Sequence, residues 1–138
     1  MAYLILQREA VMTEKTIVST ENAPSAIGPY SQAVTAGNTT YISGQIPLDP
    51  TTMKVETEDF AEQADQVFKN LQAVAEAAGG SLKDIVKVNI YLTDLSNFSM
   101  VNEVMVKYFK EPFPARAAVG ISQLPLGVLV EVEGVMVV

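Results

Sequence analysis

Glu58-Asp59-Phe60-Ala61-Glu62-Gln63-Ala64-Asp65-Gln66-Val67-Phe68-Lys69-Asn70-Leu71-Gln72-Ala73-Val74-Ala75-Glu76-Ala77-Ala78-Gly79-Gly80 is the stretch from which the fold of this chain is read. Phe60, Ala64, Val67, Leu71, Val74 and Ala78 recur at alternating steps of four and three, with Ala61, Phe68 and Ala75 beside them. Glu62, Asp65, Gln66, Lys69 and Glu76 fall on the other side. That period belongs to an α-helix with one buried and one solvated face. Thr57 is expected to cap its start, and acidic side chains suit its first turn, where the helix dipole is positive. Gly79-Gly80 stops it.

A helix with one apolar face needs a sheet or another helix to bury it, and the flanking sequence supplies both. Residues 84–93 alternate, with Val86, Val88, Ile90 and Leu92 expected on one face and Lys87, Asn89 and Tyr91 on the other. A second helix is expected over 98–109, with Val101, Val104, Met105 and Tyr108 as its core stripe. Before the first helix, 16–19 reads as a short strand, and 32–36 and 39–43 flank Gly37-Asn38 as a hairpin. Residues 115–121 and 128–138 read as the last two strands. The order predicts an α+β domain, a six-stranded mixed sheet with two helices on one face. The opposite face would then carry Tyr41, Ser43, Lys87, Asn89, Tyr91, Arg116, Ala118, Glu131, Glu133, Val135 and Val137 by strand parity. Such a mixture of ionic and apolar groups, ending in Val135 and Val137, predicts burial by a second copy of the chain and a homo-oligomer.

The 138 residues, 49% of them hydrophobic and 18% charged, suit one globular domain. A net charge of −7 without any Lys/Arg run argues against a broad nucleic-acid or anionic-membrane surface. The absence of cysteine and histidine removes disulfides, thiol nucleophiles, Cys/His zinc sites and the Ser-His-Asp triad. The acidic residues are scattered and do not follow the calcium-loop spacing, so no metal is expected. Residues 1–11 are read as a leader, an alternative start or residues added to the natural chain, with a short extra strand as the competing reading and 12–138 as the single domain. The apolar run at 2–6 is far too short to span a bilayer and has no basic region before it. A cytoplasmic protein is expected.

Chemistry is left to carboxylates, lysine, tyrosine, arginine, backbone groups and water. Arg116, in Phe113-Pro114-Ala115-Arg116-Ala117-Ala118, is a lone guanidinium among small apolar residues and needs an anion. Two readings stand: an ion pair with Glu131 or Glu133 on a neighbouring strand, or a fork that receives a small carboxylate two-pronged. Glu131 and Glu133 alternate with Val130 and Val132 and so project from one face. Buried, a glutamate there would rise in pKa and could deprotonate water; a nearby Arg116 would oppose the rise. Gly28-Pro29-Tyr30 is a rigid turn carrying a phenol, Ser43-Gly44 ends a strand in a glycine turn, and Asn102 lies on the second helix. Gly79-Gly80 ends a helix rather than opening one and is no phosphate loop.

Four segments in this order resemble the RidA/YjgF family of reactive-intermediate deaminases: Ala26-Ile27-Gly28-Pro29-Tyr30-Ser31-Gln32-Ala33, Ile42-Ser43-Gly44-Gln45-Ile46-Pro47, Phe113-Pro114-Ala115-Arg116-Ala117 and Val130-Glu131-Val132-Glu133. The similarity runs from about residue 14 to the C-terminus. It implies a chorismate-mutase-like α+β fold, a homotrimer with clefts between subunits, and cofactor-free hydrolysis of 2-imino acids and their enamine tautomers to 2-oxo acids and ammonia. By the resemblance, Arg116 would pair with the substrate carboxylate, and Glu131 with the backbone carbonyl of Ala118 would position the attacking water. Tyr30, Ser43, Gly44 and Asn102 would line the cleft. Many relatives carry cysteine at the position of Ala118, so thiol-based switching would not operate here. Two rivals remain: a non-catalytic trimer that binds small 2-oxo acids, and the endoribonuclease or translation-inhibitor role attached to some relatives. The acidic balance and lack of histidine weigh against the latter.

Overall fold

A computed structural model of the chain describes residues 14–138; the leader at 1–11 lies outside them. Six strands, β1 (Lys15–Val18), β2 (Ala33–Ala36), β3 (Thr39–Gln45), β4 (Ile85–Leu92), β5 (Ala115–Gly120) and β6 (Val130–Val137), form one sheet in the order β1-β2-β3-β6-β4-β5. All neighbours are antiparallel except β4 and β5, which run parallel. Helices α1 (Phe60–Ala77) and α2 (Phe98–Tyr108) cover one face. This is the expected six-stranded α+β architecture.

The apolar stripe of α1 is the centre of the core: Ala64, Val67, Leu71, Val74 and Ala75 are wholly buried, against Val88, Ile90, Leu92, Val132 and Met136 of the sheet. Each such Val, Leu or Ile contributes roughly 1.5–3 kcal/mol relative to exposure. Phe68 stacks against Tyr108 and meets Phe109 edge-on, ring centroids 5.6 and 5.8 Å apart, which joins the helices. The start of α1 differs from the reading above. Asp59, not Thr57, is the cap, its carboxylate accepting from the Glu62 amide at 3.0 Å. Thr57 lies two residues earlier, where its hydroxyl accepts from the Asp59 amide and donates to the Glu62 carboxylate. The helix ends as expected, with Gly79 in the left-handed region at φ 93°.

Two β-bulges change which side chains face where. In β4 the register shifts between Ile85 and Lys87, so Ile85 turns into the core and Val86 turns out to solvent. The expected inward Val86 is therefore corrected, because a strand with one extra residue loses its alternation at that point. In β3 the register shifts between Ile42 and Gln45. Ile42 and Gln45 are both buried, and the two residues between them, Ser43 and Gly44, are turned outward together.

Three buried amides, invisible to a hydrophobic-stripe argument, pin the surrounding loops. Gln63 accepts from the Leu129 amide at 2.8 Å, and Asn70 donates to the carbonyls of Ile46 and Leu48 at 3.1 and 2.9 Å. Gln32 accepts from the Thr20 amide at 2.7 Å while its amino group lies 2.8–3.3 Å from the carbonyls of Thr20, Ala23 and Pro24. Buried polar groups left without partners cost about 1–3 kcal/mol each. Gln32→Leu is therefore expected to lower unfolding stability by about 2–4 kcal/mol, seen as an earlier thermal midpoint, with the loop at 20–24 losing amide-exchange protection first.

Candidate functional site

Within one chain the candidate residues gather at two places rather than one. Tyr30, Ser43, Gly44 and Glu131 line a cavity of about 520 Å³ at the end of β3 and β6, walled by apolar side chains including Ile27, Ile46 and Leu126. Asn102 and Arg116 line a second cavity of about 340 Å³, between α2 and the segment before β5, with Met105, Val106, Phe113 and Pro114. Ala118 lines neither; it is half-buried against the core.

The first cavity owes its shape to the turn at 28–32. Gly28 adopts φ 127°, a region closed to side-chain-bearing residues, and the Tyr30 hydroxyl accepts from the Ile27 amide at 3.2 Å. The Ser43 hydroxyl donates to the Ser31 carbonyl at 2.5 Å and the Ser43 amide donates to the Gln32 carbonyl at 3.0 Å, so this serine ties the turn to β3. Its hydroxyl proton is thereby spent, and what Ser43 retains for a ligand is acceptor capacity. The bulge in β3 brings Gly44 directly beneath Glu131: a Cβ on Gly44 would lie 2.9 Å from the Glu131 carboxyl carbon and closer still to Oε2. Because the obstructed atoms end a flexible side chain, Gly44→Ala is expected to change stability little. It should displace the carboxylate, lowering kcat about 10- to 100-fold with circular dichroism unchanged.

Glu131 is half-buried, and its carboxyl is pushed above the usual carboxylate range, first by burial and then by the charge of Glu133. Glu133 is held by two donors on β4, the Tyr91 hydroxyl at 2.9 Å and the Asn89 amide at 3.4 Å. The hydrogen bond to Glu133 in turn raises the Tyr91 phenol. Within the chain Arg116 plays no part at Glu131, so burial and Glu133 are the causes that act on its carboxyl.

The reason is topological. The parity argument placed Arg116 and Ala118 with the glutamates, and the structure corrects it. Parallel pairing puts Arg116 beside Val88 and Ala118 beside Ile90, both core-facing positions of β4. Arg116 therefore projects to the helix side, and Ala117 and Val119 take the outer face. Strand β4 also separates β5 from β6, which removes the cross-strand ion pair with Glu131 or Glu133. Arg116 Nη1 instead donates to Asn102 Oδ1 at 2.6 Å, and the guanidinium carbon lies 5.0 Å from the centre of the Phe98 ring. Neither group neutralises the charge. Among the described residues the Lys69–Asp65 pair is the only salt bridge, and no three His, Cys, Asp or Glu side chains converge.

The outer face of the sheet mixes ionic and apolar groups, as expected, with Val119 in place of Ala118. Tyr41 is 57% and Val119 45% exposed, Val137 is exposed and Val135 half-buried, on the face that carries Glu131, Glu133 and Tyr91. Sequence reasoning missed Phe113, Val106 and Leu126 as cavity walls and Phe98 as the ring beside Arg116. Leu126 left a trace in its place between Pro125 and Gly127; it sits in the left-handed region at φ 57°.

A family model described as endoribonuclease L-PSP matches residues 20–138. A 2-iminobutanoate/2-iminopropanoate deaminase of Dermatophagoides farinae is 46% identical over 127 residues, 92% of this chain and 99% of the relative. The crystal structure of RidA from the Antarctic bacterium Psychrobacter sp. PAMC 21119 superposes with a TM-score of 0.87 at 54% identity, covering 89% of this chain and 99% of that one. That of Escherichia coli TdcF with bound serine gives 0.84 at 39% identity, covering 89% and 98%.

Proposed function

Because the chain belongs to the RidA/YjgF family, whose family model carries the endoribonuclease L-PSP description, we propose that it is a 2-iminobutanoate/2-iminopropanoate deaminase, working without a cofactor as a homotrimer. The observation that carries this reading is an un-neutralised guanidinium in one apolar-walled cavity and a half-buried, weakly acidic glutamate in another. Each is half of a site that would bind and hydrolyse a small carboxylate. The uncovered apolar groups on the outer sheet face, Tyr41, Val119 and Val137, support association with further copies. In the trimer, the Arg116–Asn102 half of one subunit would meet the Tyr30–Ser43–Gly44–Glu131 half of its neighbour.

In the joined site Arg116 takes the carboxylate of a 2-imino acid and so fixes C2 against Glu131. The Glu131 carboxylate accepts a proton from water as the water oxygen bonds to C2 and the C=N pair moves onto nitrogen. Return of that proton to nitrogen makes an ammonium leaving group; the C–N bond then breaks as the hydroxyl proton passes to the Glu131 carboxylate and the carbonyl forms, and transfer of that proton to the departing ammonia restores the carboxylate. A protonated imine carbon is already electrophilic, so orientation of one water meets most of the demand. Ala118 takes part through its backbone carbonyl, which the replacement of cysteine leaves intact. The bound serine of the TdcF structure, a small α-amino carboxylate, is in keeping with this ligand class.

The test is the release of 2-oxo acid or ammonia from enzymatically generated 2-aminoacrylate and 2-iminobutanoate, scored against spontaneous hydrolysis. Acceleration is the expected result. A folded trimer that binds 2-oxobutanoate but gives no acceleration would replace the enzyme with a carboxylate-binding protein.

A further inference from the structure

Phe98, Asn102 and Met105 lie at steps of four and three along α2 and so share one face of that helix. All three converge on the guanidinium of Arg116. Nη1 donates to Asn102 Oδ1 at 2.6 Å and to Met105 Sδ at 3.8 Å, which uses both of its hydrogens. The Phe98 ring lies against the guanidinium carbon at 5.0 Å. Nε and Nη2 have no acceptor among the described residues. Phe98 opens the helix, is 39% exposed and stands outside the hydrophobic core cluster.

We propose that Phe98 is a positioning residue for Arg116, holding the guanidinium plane so that a carboxylate is received side-on, by the Nε and Nη2 hydrogens, rather than end-on across the two Nη atoms. The proposal rests on the reading of Arg116 as a carboxylate anchor. An arginine side chain in water samples many rotamers, and each one lost on binding weakens the complex. Here the cost is met before the ligand arrives, because Asn102 and Met105 fix one nitrogen and the ring fixes the plane. The edge left open is planar and has two parallel donors, which matches a carboxylate and not a single carbonyl oxygen. Asn102 thus acts through Arg116 on the ligand, in addition to lining the cavity.

The chain contains two arginines, Arg8 and Arg116, so the 15N arginine side-chain spectrum of the whole protein holds two Nε–H signals, assigned by Arg116→Lys. In the wild type the Arg116 signal is expected to be shifted upfield by the ring current of Phe98. Phe98→Leu, which keeps apolar bulk, should move it downfield; Phe98→Tyr, which keeps the ring, should hold it. Binding of 2-oxobutanoate by calorimetry should weaken about two- to fivefold in Phe98→Leu and recover in Phe98→Tyr, with KM rising in parallel and kcat little changed. An Arg116 signal identical in wild type and Phe98→Leu, or an unaltered affinity, overturns the proposal. Absence of imine hydrolysis by a wild type that binds 2-oxobutanoate overturns the deaminase reading alone; the dependence of signal and affinity on Phe98 decides the positioning role in that case as well.

Discussion

Arg116→Ala is expected to lower kcat/KM for 2-iminobutanoate by about 10²- to 10⁴-fold and to abolish measurable 2-oxobutanoate binding, while leaving the fold intact. The size follows from two charge-assisted hydrogen bonds, each contributing about 1.5–3 kcal/mol when the partner is an ion. The indifference of the fold follows from position. Arg116 is exposed on the edge strand β5, its one hydrogen bond to an oxygen is to Asn102, and no carboxylate depends on it. Removing it leaves Asn102 open to solvent, so stability should move by no more than about 0.5 kcal/mol. Arg116→Lys keeps the charge and loses the fork, and should fall between, with about a tenth of wild-type kcat/KM. Steady-state kinetics with parallel thermal melts separate these outcomes. A wild-type rate in Arg116→Ala would show that the carboxylate is bound elsewhere.

Glu131→Gln should act on the other half of the reaction. It is expected to reduce kcat about 10²- to 10⁴-fold, the range for loss of a general base, with 2-oxobutanoate affinity nearly unchanged. Its pH dependence has a definite sign. Burial, and then Glu133, raise the Glu131 carboxyl above its unfolded value. The native state therefore binds this proton more tightly than the unfolded chain does. The resulting stabilisation is full below the unfolded carboxylate pKa and is lost as pH rises through the folded one. At neutral pH the ionised Glu131 is thus a burden on stability, and Glu131→Gln should melt higher than wild type there. The gain should vanish in acid. The rising limb of kcat/KM against pH should report this carboxyl and move down in Glu133→Gln, which removes the second cause of its rise; in the joined site the guanidinium of the neighbouring subunit opposes that rise. A limb unmoved in Glu133→Gln would remove Glu131 from the role of base.

In the proposed mechanism catalysis and stability are opposed at this one residue, a common arrangement where a charge is kept half out of water for chemistry. Gly44 serves the same end. It lies beneath the carboxylate because the β3 bulge turns Ser43 and Gly44 outward together, opposite β6.

The secondary elements, the layering of two helices on one sheet and the residue types available for chemistry were legible from the residues alone. Each of these depends on local periodicity or on composition: the four-and-three stripe of α1, the alternation of β6, the absence of cysteine and histidine. The four motifs sufficed for the family. What the tertiary structure alone decided is where those side chains point. Alternation gives two faces to a strand, but only pairing says which face is shared with a neighbour, and one bulge reverses the answer. Val86 turned outward through the bulge in β4, and Arg116 turned towards α2 because β5 pairs in parallel with β4 at Val88. Pairing between strands distant in the chain is set by the packing of the whole core, which no short window of residues contains. That packing places Arg116 and Glu131 in separate cavities of one chain and stands Phe98 against the guanidinium.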